Sequence, residues 1–270
     1  LQKAVRKFAE EEVLPYAAER EKEGAISRDL MEKLARYKYT SPIVPKEYGG
    51  AGADYTSYVI IMEEISKKCA STGTFTTAAA SLVSSPLLNF GTEEQKQKYL
   101  TRITSGEAIG AFGLTEPGAG SDAGGQTTTA VLEGDHYILN GRKTFITNAP
   151  IADFAIVIAV TERGKGVKGT SAFIVDMNLE GVSCGAHEDK MGIRATETSD
   201  LIFENVRVPK ENILGKEGQG FKIAMHTLDT GRIGVAAQAL GVAQGAMDEA
   251  VKYSKERVQF GKSLSKFQDI

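Results

Sequence analysis

The 270-residue chain is 41% hydrophobic and 25% charged, which is typical of a globular protein, and its net charge is −3. Without a sustained basic block, nucleic acid is not an expected partner, and no apolar run approaches the roughly 18 residues of a membrane span. Cys69 and Cys184 are too few for a disulfide framework and too distant for a metal pair, which favours a reduced, cytoplasmic compartment.

The first part of the chain has helical patterns. Val5, Phe8 and Val13 lie near helical spacing and predict a helix that ends before Pro15. The sequence TEEQ at residues 92–95 matches a capping box and predicts the start of a later helix. We therefore predict an N-terminal helical domain over residues 1–110.

From Ile109 the pattern changes to short apolar runs separated by turns that contain glycine, which predicts an antiparallel β-domain, a barrel or a sandwich, over residues 111–215. One predicted hairpin has its turn at Asn140-Gly141, a pair that two-residue turns prefer. The sequence GKGVKG at residues 164–169 has the spacing of a dinucleotide-binding fingerprint. That motif requires a following helix, and because a strand is predicted there, we interpret it as a hairpin turn.

Helical spacing returns after Gly215 and predicts one long helix from about Phe221 to Glu256, rich in glycine and alanine for close helix packing. Residues 216–270 are predicted to begin a C-terminal helical domain that is truncated here. The predicted fold class is therefore α+β, with an N-terminal helical bundle, a central antiparallel β-domain and the start of a C-terminal helical bundle.

Two short motifs in the β-domain have the chemistry of a ligand site. In LTEPGAGSD (residues 114–122), glycines allow close approach to the backbone, and Thr115 and Ser121 add hydroxyl groups. FITN (residues 145–148) places an aromatic, an aliphatic and a hydroxyl side chain along one strand. A flavin ring needs such an apolar face with hydrogen bonds at its edge. From these residues alone, an ordinary loop and strand remain the alternative.

Four motifs follow one another in order along the chain: LTEPGAGSD, FITN, DKMGIRATETSDLIFENVRVPKENILG (residues 189–215), and RVQFG (residues 257–261) with Phe267-Gln268. Together they resemble the acyl-CoA dehydrogenase family, FAD-dependent enzymes that oxidise acyl-CoA thioesters to enoyl-CoA. The resemblance extends from about Phe8 to Ile270. The stretch LDTGRIGVAAQALGVAQGAM (residues 228–247) is most similar to bacterial butyryl-CoA dehydrogenases.

The resemblance implies an oxidoreductase that forms the α,β double bond of a short-chain acyl-CoA. Hydride should pass to flavin N5 and electrons to an electron-transferring flavoprotein. The implied flavin-binding residues are Phe112, Leu114, Thr115, Gly120, Ser121, Phe145, Ile146 and Thr147. Most relatives carry Trp where Phe145 stands, so an aromatic surface is retained but the indole donor is lost.

Three further residues are implied to reach the FAD of a neighbouring subunit, in a homotetramer made of two dimers: Arg257, Phe260 and Gln268. An arginine can pair with phosphate through two donors. From the sequence alone, an arginine near a helix end is more often a surface charge.

The acyl-CoA channel is implied to contain Ser121, Asp229, Thr230, Gly231 and Arg232. The alternative interpretation of Asp229 and Arg232 is an i, i+3 ion pair within the helix.

A carboxylate must remove the α-proton of the thioester. Some relatives have Glu at the position of Gly231, and butyryl-CoA-type members have it in a C-terminal helical segment, so we predict no catalytic base within this chain. Glu116 is predicted to stabilise its loop instead. The three histidines have no partners at ligand spacing, and no metal site is predicted.

Two classes of alternative remain. One is a related flavoenzyme: an enoyl-CoA or aryl-acrylyl-CoA reductase, a glutaryl-CoA dehydrogenase or an acyl-CoA oxidase. The other is a redox-inert scaffold that binds acyl-CoA, which only the missing base favours.

Overall fold

The computed structural model describes residues 1–268 and 270. Helices occupy the chain as far as Ser105, the strands of one large sheet follow between Gly110 and Leu214, and a single long helix comes next. This is the α+β arrangement predicted from the sequence. Within the described residues, no helix combines the length and the apolar character that crossing a bilayer requires.

The α-helices in chain order are α1 (Gln2–Phe8), α2 (Ala17–Glu23), α3 (Arg28–Arg36), α4 (Tyr55–Ser66), α5 (Ala70–Thr77), α6 (Ser85–Phe90), α7 (Glu93–Gln95), α8 (Thr101–Ser105) and α9 (Gly220–Glu256). The strands are β1 (Gly110–Gly113), β2 (Thr129–Glu133), β3 (His136–Thr147), β4 (Phe154–Val160), β5 (Thr170–Asp176), β6 (Val182–Cys184), β7 (Thr198–Pro209), β8 (Ile213–Leu214), β9 (Val258–Gln259) and β10 (Lys262–Ser263).

The helix that begins at Gln2 ends at Val13, before Pro15, as predicted. A π-helical segment (Ala9–Val13) and a 3-10 turn (Leu14–Tyr16) join α1 to α2. Pro15 lies in the first turn of the 3-10 segment, where a missing N–H removes little hydrogen bonding. A second π-helical segment (Ala78–Ser84) joins α5 to α6. The capping box at Thr92 is confirmed, because its hydroxyl accepts from the Gln95 N–H and the Gln95 side chain accepts from the Thr92 N–H.

The large sheet has the strand order β6-β7-β3-β2-β4-β5-β8, with β1 also paired to β4. Most pairings are antiparallel, as predicted, but β1 and β2 each run parallel to β4. The GKGVKG sequence lies in the connection between β4 and β5, as the hairpin interpretation predicts.

Asn140-Gly141 is not a turn, and the predicted hairpin at that point was wrong. β3 runs continuously through both residues and pairs with β7 along its length, with a register shift between Leu139 and Gly141. A Cβ on Gly141 would lie 2.5 Å from the Thr128 hydroxyl oxygen, so the glycine is required by a bulge and a close contact. The tight turn before β3 is at Gly134-Asp135, where Glu133 pairs with His136.

β4 is buried on both faces and separates two apolar cores. Ile156 packs with the helices, in a core that includes Leu87 and Ile223. Val157 points to the other face, where it packs with Phe173 and the rest of the sheet. The N-terminal helices and α9 therefore share one core with the sheet, and this core fixes the position of α9 against the end of β1.

α9 packs closely on α4 because glycines occur where the two helices meet. A Cβ on Gly241 would lie 2.4 Å from the backbone oxygen of Glu63, which cannot move without moving α4. The predicted role of the glycines in close helix packing is thus confirmed at this position. Gly231 differs, because a Cβ there would lie 3.4 Å from the Leu82 side chain, an ordinary contact distance.

These two glycines form a matched pair for stability. We expect Gly241→Ala to lower the free energy of unfolding by about 1–3 kcal/mol, because overpacking against backbone forces the helices apart. Gly231→Ala should leave it unchanged or raise it by up to about 1 kcal/mol, since alanine is the better helix former. Urea unfolding midpoints of the two variants measure this difference, and equal midpoints would contradict it.

Candidate functional site

A crevice of about 160 Å³ lies where β1 and β3 end against α9 and the π-helical segment Ala78–Ser84. Six of the predicted flavin-binding residues line it: Phe112, Leu114, Thr115, Phe145, Ile146 and Thr147. The sequence did not identify the opposite wall, formed by Ala78, Leu82, Val83 and Leu228. The crevice is smaller than the 300–1,000 Å³ typical of ligand pockets, so we call it the ring crevice and expect it to hold part of a larger ligand.

Phe145 is held in an unusual conformation at the mouth of the ring crevice. Its side chain is 63% exposed and its φ is 59°, within a register shift between Lys143 and Ile146. A positive φ is a genuine outlier for a bulky residue, and such strain is concentrated at functional sites. In a regular strand, buried and exposed side chains alternate, and Phe145 would be buried like Lys143 two residues earlier. The bulge instead exposes the Phe145 ring.

The loop after β1 leaves room for a ligand. Gly120 and Ser121, which were also predicted to bind the flavin, are exposed and do not line the ring crevice. A Cβ on Gly118 or Gly120 would meet nothing within 4 Å, so within the described residues no contact accounts for glycine there. Asn148, which follows Thr147, is buried, and neither polar atom of its side chain has a hydrogen-bond partner in that part of the structure. Both features fit a polar ligand lying close to the backbone.

Beneath the loop lies a fully buried ion pair between Lys143 and Glu116, with side chains 0% and 2% exposed and an N–O distance of 2.7 Å. Glu116 also accepts from the backbone N–H and the hydroxyl of Thr127, at 2.7 and 2.8 Å, and from the Thr128 N–H at 3.0 Å. Lys143 donates in addition to the Gln126 side chain (2.8 Å). Glu116 thus stabilises the loop, as predicted, and its lone pairs are already used by these donors.

Both members of the pair are charged at neutral pH. Burial raises the pKa of Glu116, but the charge and hydrogen bond of Lys143 and the threonine donors outweigh it and lower that pKa to about 2. Burial lowers the pKa of Lys143 to about 8, against the opposing effect of Glu116. A carboxylate held so firmly in its ionised form is a poor proton acceptor at neutral pH.

The predicted substrate residues on α9 face two directions. Thr230 and Gly231 are buried, and Thr230 lies within hydrogen-bond range of Ser85 (3.4 Å). Asp229 and Arg232 have side chains 71% exposed and form an ion pair with each other, which is the alternative interpretation given above. The structure therefore does not bring these four residues to one face of α9.

Arg257, Phe260 and Gln268 are exposed beyond the far end of α9, and Phe260 is 92% exposed. At 1.5 Å per residue, α9 places Arg257 roughly 40 Å from Leu228 of the ring crevice. These three residues therefore do not reach the ring crevice of their own chain.

Three family models match this chain: the acyl-CoA dehydrogenase N-terminal domain at residues 1–107, the middle domain at residues 111–206 and the C-terminal domain at residues 218–270. The chain belongs to the acyl-CoA dehydrogenase family. The chain is accordingly a member of an enzyme family, and its most similar relatives include short-chain acyl-CoA dehydrogenases.

Among these relatives, the short-chain-specific acyl-CoA dehydrogenase of Clostridium acetobutylicum is 54% identical over 266 residues, 98% of this chain and 70% of that protein. The caffeyl-CoA reductase–Etf complex subunit CarC of Acetobacterium woodii is 51% identical over 271 residues, 100% of this chain and 72% of that protein.

Solved structures of the family have the same fold. Butyryl-CoA dehydrogenase from Megasphaera elsdenii superposes with a TM-score of 0.94 at 48% identity, over 99% of this chain and 71% of that one. An acyl-CoA dehydrogenase from Bacillus anthracis complexed with FAD gives a TM-score of 0.90 at 38% identity, over 98% of this chain and 45% of that one. Enzymes of the acyl-CoA dehydrogenase family are FAD-dependent.

The low pKa of Glu116 predicts an acid-sensitive contribution to the stability of this protein. Because the folded-state pKa of about 2 lies below the unfolded value of 4.5, the contribution is present above pH 4.5 and is lost as pH falls towards 2. At 1.36 kcal/mol per pKa unit, it is on the order of 3 kcal/mol.

We expect the free energy of unfolding to fall more steeply between pH 5 and pH 3 in the unsubstituted protein than in Glu116→Gln. Urea titrations at pH 6, 5, 4 and 3 give the two slopes. Other carboxylates contribute equally to both proteins. Parallel slopes would therefore show that folding does not lower the pKa of Glu116.

Proposed function

We propose that the protein is an FAD-dependent oxidoreductase that forms the α,β double bond of a short-chain acyl-CoA. The observation that carries the proposal is the ring crevice. Residues of both sequence motifs line it, together with the apolar residues Ala78, Leu82, Val83 and Leu228. When bound, FAD would accept a hydride from the β-carbon of the substrate at N5. The tasks of the chain itself are to hold the ring, orient the thioester and exclude water.

The flavin ring is proposed to lie against Leu114, Ile146 and the face of Phe145, with Thr115 and Thr147 at its polar edge. These positions supply an apolar surface and hydrogen-bonding groups on one side of the ring crevice. Phe112 lines the same wall, while Gly120 and Ser121 would approach the more polar part of FAD and the acyl-CoA. Gly120 suits this role because nothing in the described structure fills the space beside it.

The remainder of the FAD site is proposed to come from Arg257, Phe260 and Gln268 of a neighbouring subunit. Their distance from the ring crevice of their own chain and the exposure of the Phe260 ring support this arrangement. It requires at least a dimer, and the homotetramer predicted from the sequence stays a prediction. The domain limits 1–110, 111–215 and 216–270 and the cytoplasmic location likewise stay predictions.

The acyl-CoA is proposed to enter along α9, with Thr230 and Gly231 towards its buried part and Ser121, Asp229 and Arg232 towards solvent. The lack of a side chain at Gly231 leaves ordinary contact space beside Leu82. Glu116 is not proposed as the α-proton acceptor, because it is enclosed by its partners and held ionised. An electron-transferring flavoprotein is the proposed redox partner, in line with the Etf complex to which a relative with 51% identity belongs.

The same relative favours a second candidate, an enoyl-CoA reductase that runs the reaction in the opposite direction. The two functions use one site and differ in which way the electrons move. The redox-inert scaffold has only the missing base in its favour, whereas the relatives named above are a dehydrogenase and a subunit of a reductase complex.

The first test is cofactor binding by the intact protein. We expect it to bind FAD and to lose absorbance near 450 nm when butyryl-CoA is added without oxygen. Phe145→Ala should weaken FAD binding by about tenfold, since a buried aromatic contact contributes roughly 1.4 kcal/mol. Tyr16→Ala, which removes an aromatic side chain of similar exposure (56% against 63%) from the N-terminal helices, should not change the affinity for FAD. Intact protein that cannot be loaded with FAD would refute the proposal.

The direction of the reaction is tested with the loaded enzyme and electron-transferring flavoprotein. A dehydrogenase should reduce the oxidised flavoprotein at the expense of butyryl-CoA. A reductase should convert crotonyl-CoA or cinnamoyl-CoA to the saturated thioester with reduced flavoprotein, at a rate well above that of the reverse reaction.

A further inference from the structure

Lys143 is a buried cation in which all three ammonium hydrogens have acceptors. Its Nζ atom donates to the Glu116 carboxylate at 2.7 Å, to the Gln126 side chain at 2.8 Å and to the Leu114 carbonyl oxygen at 3.1 Å. The contacts with Glu116 and Gln126 hold the loop that follows β1. The contact with the Leu114 carbonyl oxygen reaches the backbone of a residue that lines the ring crevice.

The Leu114 carbonyl belongs to the same planar peptide group as the N–H of Thr115. In a trans peptide the carbonyl and the N–H point in opposite directions, so the Thr115 N–H points away from the ammonium. The next peptide group is also held, because the Thr144 N–H donates to the Thr115 oxygen at 2.8 Å. The backbone on both sides of Thr115 is therefore fixed by β3, the strand that also contains Phe145 and Thr147.

A cation on a carbonyl oxygen withdraws electron density from the whole peptide group and strengthens its N–H as a donor. The effect is large here because the contact is buried, where the low effective dielectric strengthens charge–dipole interactions. Two-electron, one-proton reduction leaves one additional negative charge on a flavin ring. A strengthened donor at the ring edge stabilises that form more than the oxidised form.

We propose that Lys143 is a positioning residue that raises the reduction potential of the bound flavin by fixing and polarising the Leu114–Thr115 peptide group. The proposal rests on the FAD site proposed above and adds to it a residue that touches neither FAD nor substrate. It assigns to a buried lysine a role in the chemistry in addition to its role in loop stability.

The test is the flavin reduction potential of the intact, FAD-loaded protein at pH 7, measured by equilibrium with a reference dye. Lys143→Met should lower the preference for reduced over oxidised FAD by about tenfold, which is about 30 mV for a two-electron couple. Lys143→Gln, which keeps a neutral donor for the Leu114 oxygen, should give an intermediate shift. If Lys143→Met does not fold, Lys143→Gln alone decides, through a lowered or an unchanged potential.

Two controls separate polarisation from loss of stability. Gln126→Leu removes another partner of the same ammonium but keeps the charge and its contact with Leu114. Glu64→Gln weakens an ion pair in the N-terminal helices, in which the Glu64 carboxylate is as buried as that of Glu116 (2% exposed) and its partner Arg6, at 2.8 Å, is 45% exposed. Both controls should lower the thermal midpoint and leave the potential unchanged.

The outcomes distinguish this inference from the proposed function. If the unsubstituted protein binds no FAD, the proposed function itself fails. If the Lys143 variants bind FAD with the potential of the unsubstituted protein, or if the two controls shift it as much, Lys143 is only structural and the inference is overturned.

Discussion

The ion pair of Lys143 and Glu116 joins the two sequence motifs that form the ring crevice. One partner lies in β3 immediately before the bulge at Phe145, and the other lies in the loop after β1. Separating two such charges inside a protein leaves at least one of them without compensation, which typically costs about 3–5 kcal/mol. The loop and the strand therefore keep a fixed relation, and Thr115 and Thr147 both remain in the lining of the crevice.

The position of the opposite wall depends on close packing. β4 connects the sheet to the helices through Ile156 on one face and supports the inner layer of the sheet through Val157 on the other. α9 then approaches α4 to a distance that only glycine permits at Gly241. Because each of these contacts is buried and tightly packed, the π-helical segment and Leu228 stand opposite the motifs without a loop that could displace them.

The features that depend on local sequence patterns could be predicted from the sequence. α9, the capping box at Thr92 and the β-rich middle of the chain each follow from spacing and cap chemistry over a few residues. The six motif residues that meet in the ring crevice were also predicted, through a resemblance carried by several motifs in order. Their placement in the structure supports the predicted cofactor roles, which direct binding measurements must decide.

The features that were missed depend on partners distant in sequence. Asn140-Gly141 has the composition of a turn, but pairing of β3 with β7 keeps the strand continuous, and the glycine serves a contact with Thr128. The sequence did not identify the buried ion pair of Lys143, because its partner Glu116 lies 27 positions earlier. The π-helical segment Ala78–Ser84 mixes alanine and serine with only two larger apolar residues, Leu82 and Val83, which are adjacent in sequence, so no periodicity identified it as a wall of the site.

The length of α9 restricts where residues can be inserted into the chain. Since the helix is continuous from the ring crevice to the exposed segment around Phe260, inserting one residue within it would rotate everything beyond by about 100° and advance it by about 1.5 Å. An insertion in the exposed connection between β4 and β5 does not rotate the elements that follow it. Natural variation in chain length should therefore be absent from α9 and tolerated in that connection.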